Sequence, residues 1–217
     1  MLNRPRLLKG ALITVGEGSD ASIIAFQYNP EKLSRSLTPQ YTAGEKNNNA
    51  ERIRFQGAPA ETIDVEVIID AIDQLANPRD TSKNGIHPQL AALELLGAPT
   101  VEDIRNSADK TTIEILPWLV PTTVFVYGVN RIVPVRVESV KVTEELHDPD
   151  LNPIRANVSL SLRVITCSTT PQKSKAYESW MSYQQHKERL ARPALMSATA
   201  PKGSPRAAAS DYLKSSR

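Results

Sequence analysis

Residues able to do covalent or metal chemistry are few and scattered in this 217-residue chain, which holds three histidines and one cysteine. His87 opens a helical stretch, His147 sits in a turn and His186 lies near the C-terminus. None has the neighbours that a nucleophile–His–carboxylate set or a zinc site uses. The single Cys167 excludes an internal disulfide and fits a reducing compartment. Carboxylates are richer: Asp64, Glu66 and Asp70 recur through Glu61 to Ala71 and could suggest a cation site. Alternate residues of a half-buried strand must face water in any case, and no histidine or cysteine lies nearby to complete a ligand set. The turn HDPDLNP (147–153) carries two aspartates, but its spacing and the missing later glutamate do not match a calcium loop. GEGSD (16–20) lacks the third glycine and the following helix of a phosphate-cradling loop, so it reads as a turn. No Walker loop or dinucleotide fingerprint is present. The expectation is a protein that is not an enzyme, with no cofactor, metal or small-molecule substrate.

The polar residues instead belong to strand faces and turns. One stretch organises the reading, Ser22 to Arg35 (SIIAFQYNPEKLSR). Ile23, Ala25 and Gln27 alternate with Ile24, Phe26 and Tyr28, the period of a β-strand. Asn29-Pro30 stops it, because proline has no N–H for a ladder. Phe26 and Tyr28 are expected on opposite faces, with Asn29, Pro30 and Leu33 setting the exit of the chain.

Leu7 to Val15 reads as an earlier strand, and Gln40 to Glu51 as a long polar loop. In Glu61 to Ala71, Ile63, Val65, Val67, Ile69 and Ala71 point one way; Thr62, Asp64, Glu66 and Asp70 point the other, with Ile68 as the exception. Asn77 to Asn84 is turn-rich. His87 to Leu96 is a helix with Pro88 in its first turn, and Val101 to Asn106 adds a turn or two.

Pro121 to Gly128 and Arg131 to Glu144 form a hairpin around Gly128-Val129-Asn130. The phase slips between Val137 and Val140, as a β-bulge near Glu138-Ser139 would produce. In Ile154 to Val164 every second residue is apolar, and Arg155, Asn157, Ser159, Ser161 and Arg163 face outward. Strands of this regularity around one principal helix predict a mainly β fold, a sandwich or barrel.

Residues 1–170 read as this body. Residues 171–191 follow as an amphipathic helix whose Tyr177, Trp180 and Met181 share a face and could dock on a partner. Residues 192–217, mostly Ala, Pro, Ser, Lys and Arg, form a tail expected to be disordered. From Pro171 on there are nine Lys/Arg against three Asp/Glu, so residues 171–217 carry +6 and the rest −4 of the net +2. A basic tail on an acidic body can mean an anionic partner or simply a solvated terminus. No run approaches eighteen apolar residues, and the basic start MLNRPRLLKG has no signal-peptide core. Membrane insertion and export by a leader are therefore not expected.

Four segments, in order, resemble the contractile injection system tube protein family: IAFQYNPEKLSRS (23–36), FQGAPAETIDVEVIIDA (55–71), VFVYG (124–128) and NPIRANVSLSLRV (152–164). The resemblance spans about residues 5–166. It implies a tail-tube-like β-barrel domain that assembles with itself in six-fold rings between spike or hub and inner tube, inside a phage-tail-like particle built in the bacterial cytoplasm. It also implies that Thr62, Asp64, Glu66, Arg155, Asn157, Ser159, Ser161 and Arg163 could line a water-filled bore. Many members carry a C-terminal LysM module; its repeat is not found here, which leaves the Tyr177–Leu190 helix and the basic tail to contact sheath or baseplate proteins. The competing expectation is a small ligand-binding β-barrel whose basic tail meets an anionic partner.

Overall fold

The computed structural model describes residues 8–15, 21–42, 54–71, 84–108 and 122–196. Period-two alternation gives seven strands: β1 (Ala11–Val15), β2 (Ala21–Ala25), β3 (Leu33–Thr38), β4 (Ala60–Asp70), β5 (Thr122–Val126), β6 (Ile132–His147) and β7 (Pro153–Val164). They form one antiparallel sheet in the order β2-β1-β5-β6-β7-β4-β3. The fold is mainly β, with a single sheet rather than two stacked ones. The expected turn at 16–20, and most of the expected loop at 40–51 and turn at 77–84, lie outside the described residues, as does the tail from 197.

The inward row of β7, Ala156, Val158, Leu160, Leu162 and Val164, is buried against Ile63, Val65 and Val67 of β4 and Val133 and Val135 of β6. Each large side chain so buried contributes roughly 1.5–3 kcal/mol of transfer free energy, set against the entropy of ordering it. β6 slips register between Val137 and Ser139, the site where its apolar phase changes. Glu138 is the extra residue, and the bulge lets a 16-residue strand bend.

The organising strand is shorter than its pattern suggests, ending at Ala25. Phe26 still donates its N–H to the Gly10 carbonyl at 2.8 Å, but the chain then leaves β1. Phe26 is buried and Tyr28 is half exposed.

The body has two helices rather than one principal helix and a turn: α1 (His87–Glu94) and α2 (Val101–Ala108). Leu90 and Leu93 bury the inner side of α1, and Ile86 before it donates its N–H to the Pro153 carbonyl at 2.9 Å. Gly85 precedes this contact at φ +55°, and a Cβ there would lie 2.3 Å from the Pro153 oxygen, so only glycine fits.

A third helix, α3 (Lys175–Met196), runs through Pro193 and so past the expected end at 191. Its N-cap is Ser174, whose hydroxyl accepts the Tyr177 N–H at 3.1 Å. Residues up to Met181 form one unit and those from Ser182 a second. In the second, Tyr183 is buried and the Lys187 ammonium lies 4.3 Å from its ring centroid. No described helix is long and apolar enough to cross a membrane.

Candidate functional surface

The outward residues of β4 and β7 meet as registered pairs: Thr62 with Arg163, Asp64 with Ser161, Glu66 with Ser159, Ile68 with Asn157 and Asp70 with Arg155. β6 extends the same rows, setting Arg136 beside Arg163, Ser139 beside Ser161, Lys141 beside Ser159 and Thr143 beside Asn157. The outward rows of the two expected faces, 62–66 and 155–163, thus stand side by side on adjacent strands. Sequence reading missed the β6 contribution, because the bulge hides which residues of β6 face out. Alternation resumed from Ser139 would have found it.

The surface is stitched by polar contacts. Ser161 Oγ donates to Asp64 Oδ1 at 2.8 Å, and Arg163 donates to Thr62 Oγ1 at 3.2 Å. Asn157 donates to Glu145 Oε1. Arg155 Nε lies 3.1 Å from Glu145 Oε2 without hydrogen-bond alignment, and its Nη1 lies 3.9 Å from Asp70. Ile68 is the one apolar residue between Thr62 and Asp70 in the outward β4 row. Exposed ion pairs of this kind add little stability, and the row has the polarity of a strand face turned to water.

Two edges bound the surface. Among the described residues β3 pairs with β4 alone, and five of its six residues are exposed. β6 pairs with β5 only from Ile132 to Val135, so from Arg136 to His147 its second edge has no strand beside it among the described residues. At the tip of the β6–β7 hairpin, Asp148 accepts hydrogen bonds from the N–H groups of Asn152 (2.8 Å) and Asp150 (2.9 Å) and from Asn152 Nδ2 (2.9 Å). The Asn152 contacts above all, and the nearby His147, hold the Asp148 carboxyl below its ordinary value.

The organising turn clamps the other side of the fold. Asn29 Oδ1 accepts the Gly10 N–H and Asn29 Nδ2 donates to the Leu8 carbonyl, both at 2.8 Å. The buried Pro30 offers its carbonyl to the Tyr127 hydroxyl at 3.0 Å. Leu33 begins β3 opposite Val65.

Between them Gln27 does what no sequence pattern indicates. Its Nε2 donates to the Asp70 carbonyl (2.6 Å) and its Oε1 accepts the Asp70 N–H (2.9 Å). That is the double exchange of an antiparallel backbone pair, made by a side-chain amide. It joins the exit of β2 to the end of β4 and draws the two ends of the sheet together.

Residues 13–173 match the model of the contractile injection system tube protein family. The chain belongs to that family. The tube protein also has a structural likeness, at 14% identity, to the SPP1 phage tail tube solved by solid-state NMR and cryo EM. The match covers 72% of this chain and 73% of that one, with a TM-score of 0.33. No curated protein matches the chain.

A tube protein is a structural component of such a machine. Among its described residues no group of three or more His, Cys, Asp or Glu could hold a metal ion. The three residues expected to dock a partner, Tyr177, Trp180 and Met181, are each half-buried on α3, while Ala176 and Tyr183 are the buried ones.

Proposed function

We propose that this tube protein forms a six-fold ring at the baseplate of a contractile injection system, joining the spike or hub to the inner tube, with the β6–β7–β4–β3 face lining the bore. The observation that carries this reading is a largely polar face bounded by β3 and distal β6, two edges that have no further strand beside them among the described residues. Open strand edges invite aggregation unless they are covered or paired. In a ring, β3 of one copy pairs with β6 of the next, and because β3 and β6 run in opposite directions the antiparallel alternation is preserved.

Six copies of this four-stranded face close a barrel of roughly 24 strands, wide enough to hold water. Its lining is small hydroxyls and mixed charges, over which a passing chain slides without sticking. Around Leu12, Phe125, Val133, Val158 and Leu162, all fully buried, the inward face leaves no room for a carried ligand. We further propose that assembly takes place in the bacterial cytoplasm, and that Tyr177, Trp180 and Met181 with the basic tail contact sheath or baseplate proteins.

The test is Ser159→Trp/Ser161→Trp. Both residues face outward, so the fold should persist while the channel narrows; particles should form with reduced effector delivery. Deleting 171–217 in parallel should leave a folded body and impair baseplate assembly. A purified protein that forms no ring with spike and tube components present, or indoles found on the outside of the ring, would refute the reading.

A further inference from the structure

Where β6 runs past the start of β5, the fold opens a cavity of about 320 Å³. Arg136 and Arg163 both line it, and they stand directly opposite each other on the paired strands β6 and β7. Two guanidiniums so placed repel. Among the described residues the only carboxylate within ion-pair reach of either is Glu138, at 3.8 and 3.9 Å. Those distances are too long for hydrogen bonds, and one negative charge leaves two cations with a surplus. Arg163 donates to Thr62 at 3.2 Å; the other donors of both forks have no protein acceptor among the described residues. The wall around them suits an anion. No Asp or Glu lines the cavity among the described residues, whereas Thr122, Ser168 and Thr170 bring hydroxyls to it. Ser168 Oγ accepts the Ala58 N–H at 3.2 Å, so its own O–H is left to donate. Ala176, in the first turn of the 22-residue α3, reaches the wall too, and a helix N-terminus favours negative charge.

We propose that this cavity binds a phosphoryl group, as inorganic phosphate or a phosphate monoester, between Arg136 and Arg163. A planar carboxylate is already present in Glu138 and satisfies neither fork. A tetrahedral oxyanion spreads its oxygens, so that one meets each guanidinium while another takes the hydroxyl of Ser168. Its charge at neutral pH, about −1.5 to −2 for a monoester, also answers two cations better than a single carboxylate does. The site is complete in one copy and needs no ring. Val135 is the last residue of β6 opposite β5, and Arg136 is the next. A bound phosphate therefore ties β6 to β7 at the point where β6 leaves β5, and through Ser168 it holds the segment that follows β7.

The experiment titrates the purified full-length chain with inorganic phosphate and with glycerol phosphate by calorimetry at constant ionic strength, with acetate as the planar control. Phosphate should bind saturably at one site per copy and raise the midpoint of thermal unfolding as its concentration rises. Arg136→Gln, at an exposed position, and Arg163→Gln should each weaken binding at least about tenfold, the loss of one charge-assisted hydrogen bond. Glu138→Gln removes the competing carboxylate and should tighten binding, a gain that a misfolded variant cannot mimic. Lys141→Gln, two rows away on the same face, should bind like wild type. Tighter binding of glycerol phosphate than of phosphate makes an ester the ligand, and the reverse makes it free phosphate; either sustains the site. No saturable binding, acetate held as tightly as phosphate, a glutamine variant at Arg136 or Arg163 that binds like wild type, no gain from Glu138→Gln, or an equal loss from Lys141→Gln overturns it.

Discussion

Gln27 closes the sheet with a side chain, and removing that amide tests the closure directly. Gln27→Ala deletes two hydrogen bonds to the Asp70 backbone, of 2.6 and 2.9 Å. Each such bond contributes about 1 kcal/mol net, and a buried backbone group left unsatisfied costs about 1–3 kcal/mol. Asp70 is only half-buried, so water partly replaces the lost partner, and the expected loss is about 2 kcal/mol.

Gln27→Met separates packing from hydrogen bonding, since it keeps the length and volume of the side chain but neither polar atom. It should lose as much as alanine, within about 0.5 kcal/mol. Gln27→Glu can accept the Asp70 N–H but, when ionised, sets a carboxylate against the Asp70 carbonyl. Its folded-state pKa is therefore raised above the unfolded value. This variant should be weakest at neutral pH and recover as pH falls through that raised pKa.

Urea unfolding with an unchanged m-value gives the stability, and hydrogen exchange at the Asp70 amide reports the bond itself. A Gln27→Ala loss under about 0.5 kcal/mol, or a methionine variant as stable as wild type, would show that the sheet ends meet by packing alone.

Two further outcomes follow from the same geometry. Phe26 is 2% exposed, its ring centroid is 6.3 Å from that of Phe125, and a Cβ on Gly10 would come within 2.8 Å of it. Phe26→Ala should therefore cost about 3–5 kcal/mol in chemical denaturation, and a loss below about 1 kcal/mol would place Phe26 outside the core. Asp148, whose carboxyl is held down by its Asn152 and Asp150 contacts, supports the hairpin turn above the ordinary carboxylate range and releases it as pH falls through the lowered folded-state value. Carbon-detected NMR titration should find Asp148 below the ordinary aspartate value, and Asn152→Ala should move it back up.

Alternation along the chain determined much of this protein. Ile63 to Ala71 and Ile154 to Val164 repeat with a period of two, and that period follows from local backbone geometry whatever the partner strand. The β identity of the body, the inward row and the outward Thr62, Asp64, Glu66, Arg155, Asn157, Ser159, Ser161 and Arg163 were therefore legible. So was the slip near Glu138, because a bulge shifts the phase of its own strand.

Pairing is another matter. That Thr62 meets Arg163, that Arg136 meets Arg163, and that Gln27 reaches Asp70 depends on contacts between residues far apart in the chain, which no local period encodes. The β2 pattern ran on to Tyr28 while the strand ended at Ala25, since the Asn29 clamp and the Gln27 bridge decide where the chain turns. The tertiary structure alone brought two arginines beside one cavity and left β3 and distal β6 without a further strand beside them among the described residues. Charge in a sequence has sign and order; only folding gives it a place and a direction.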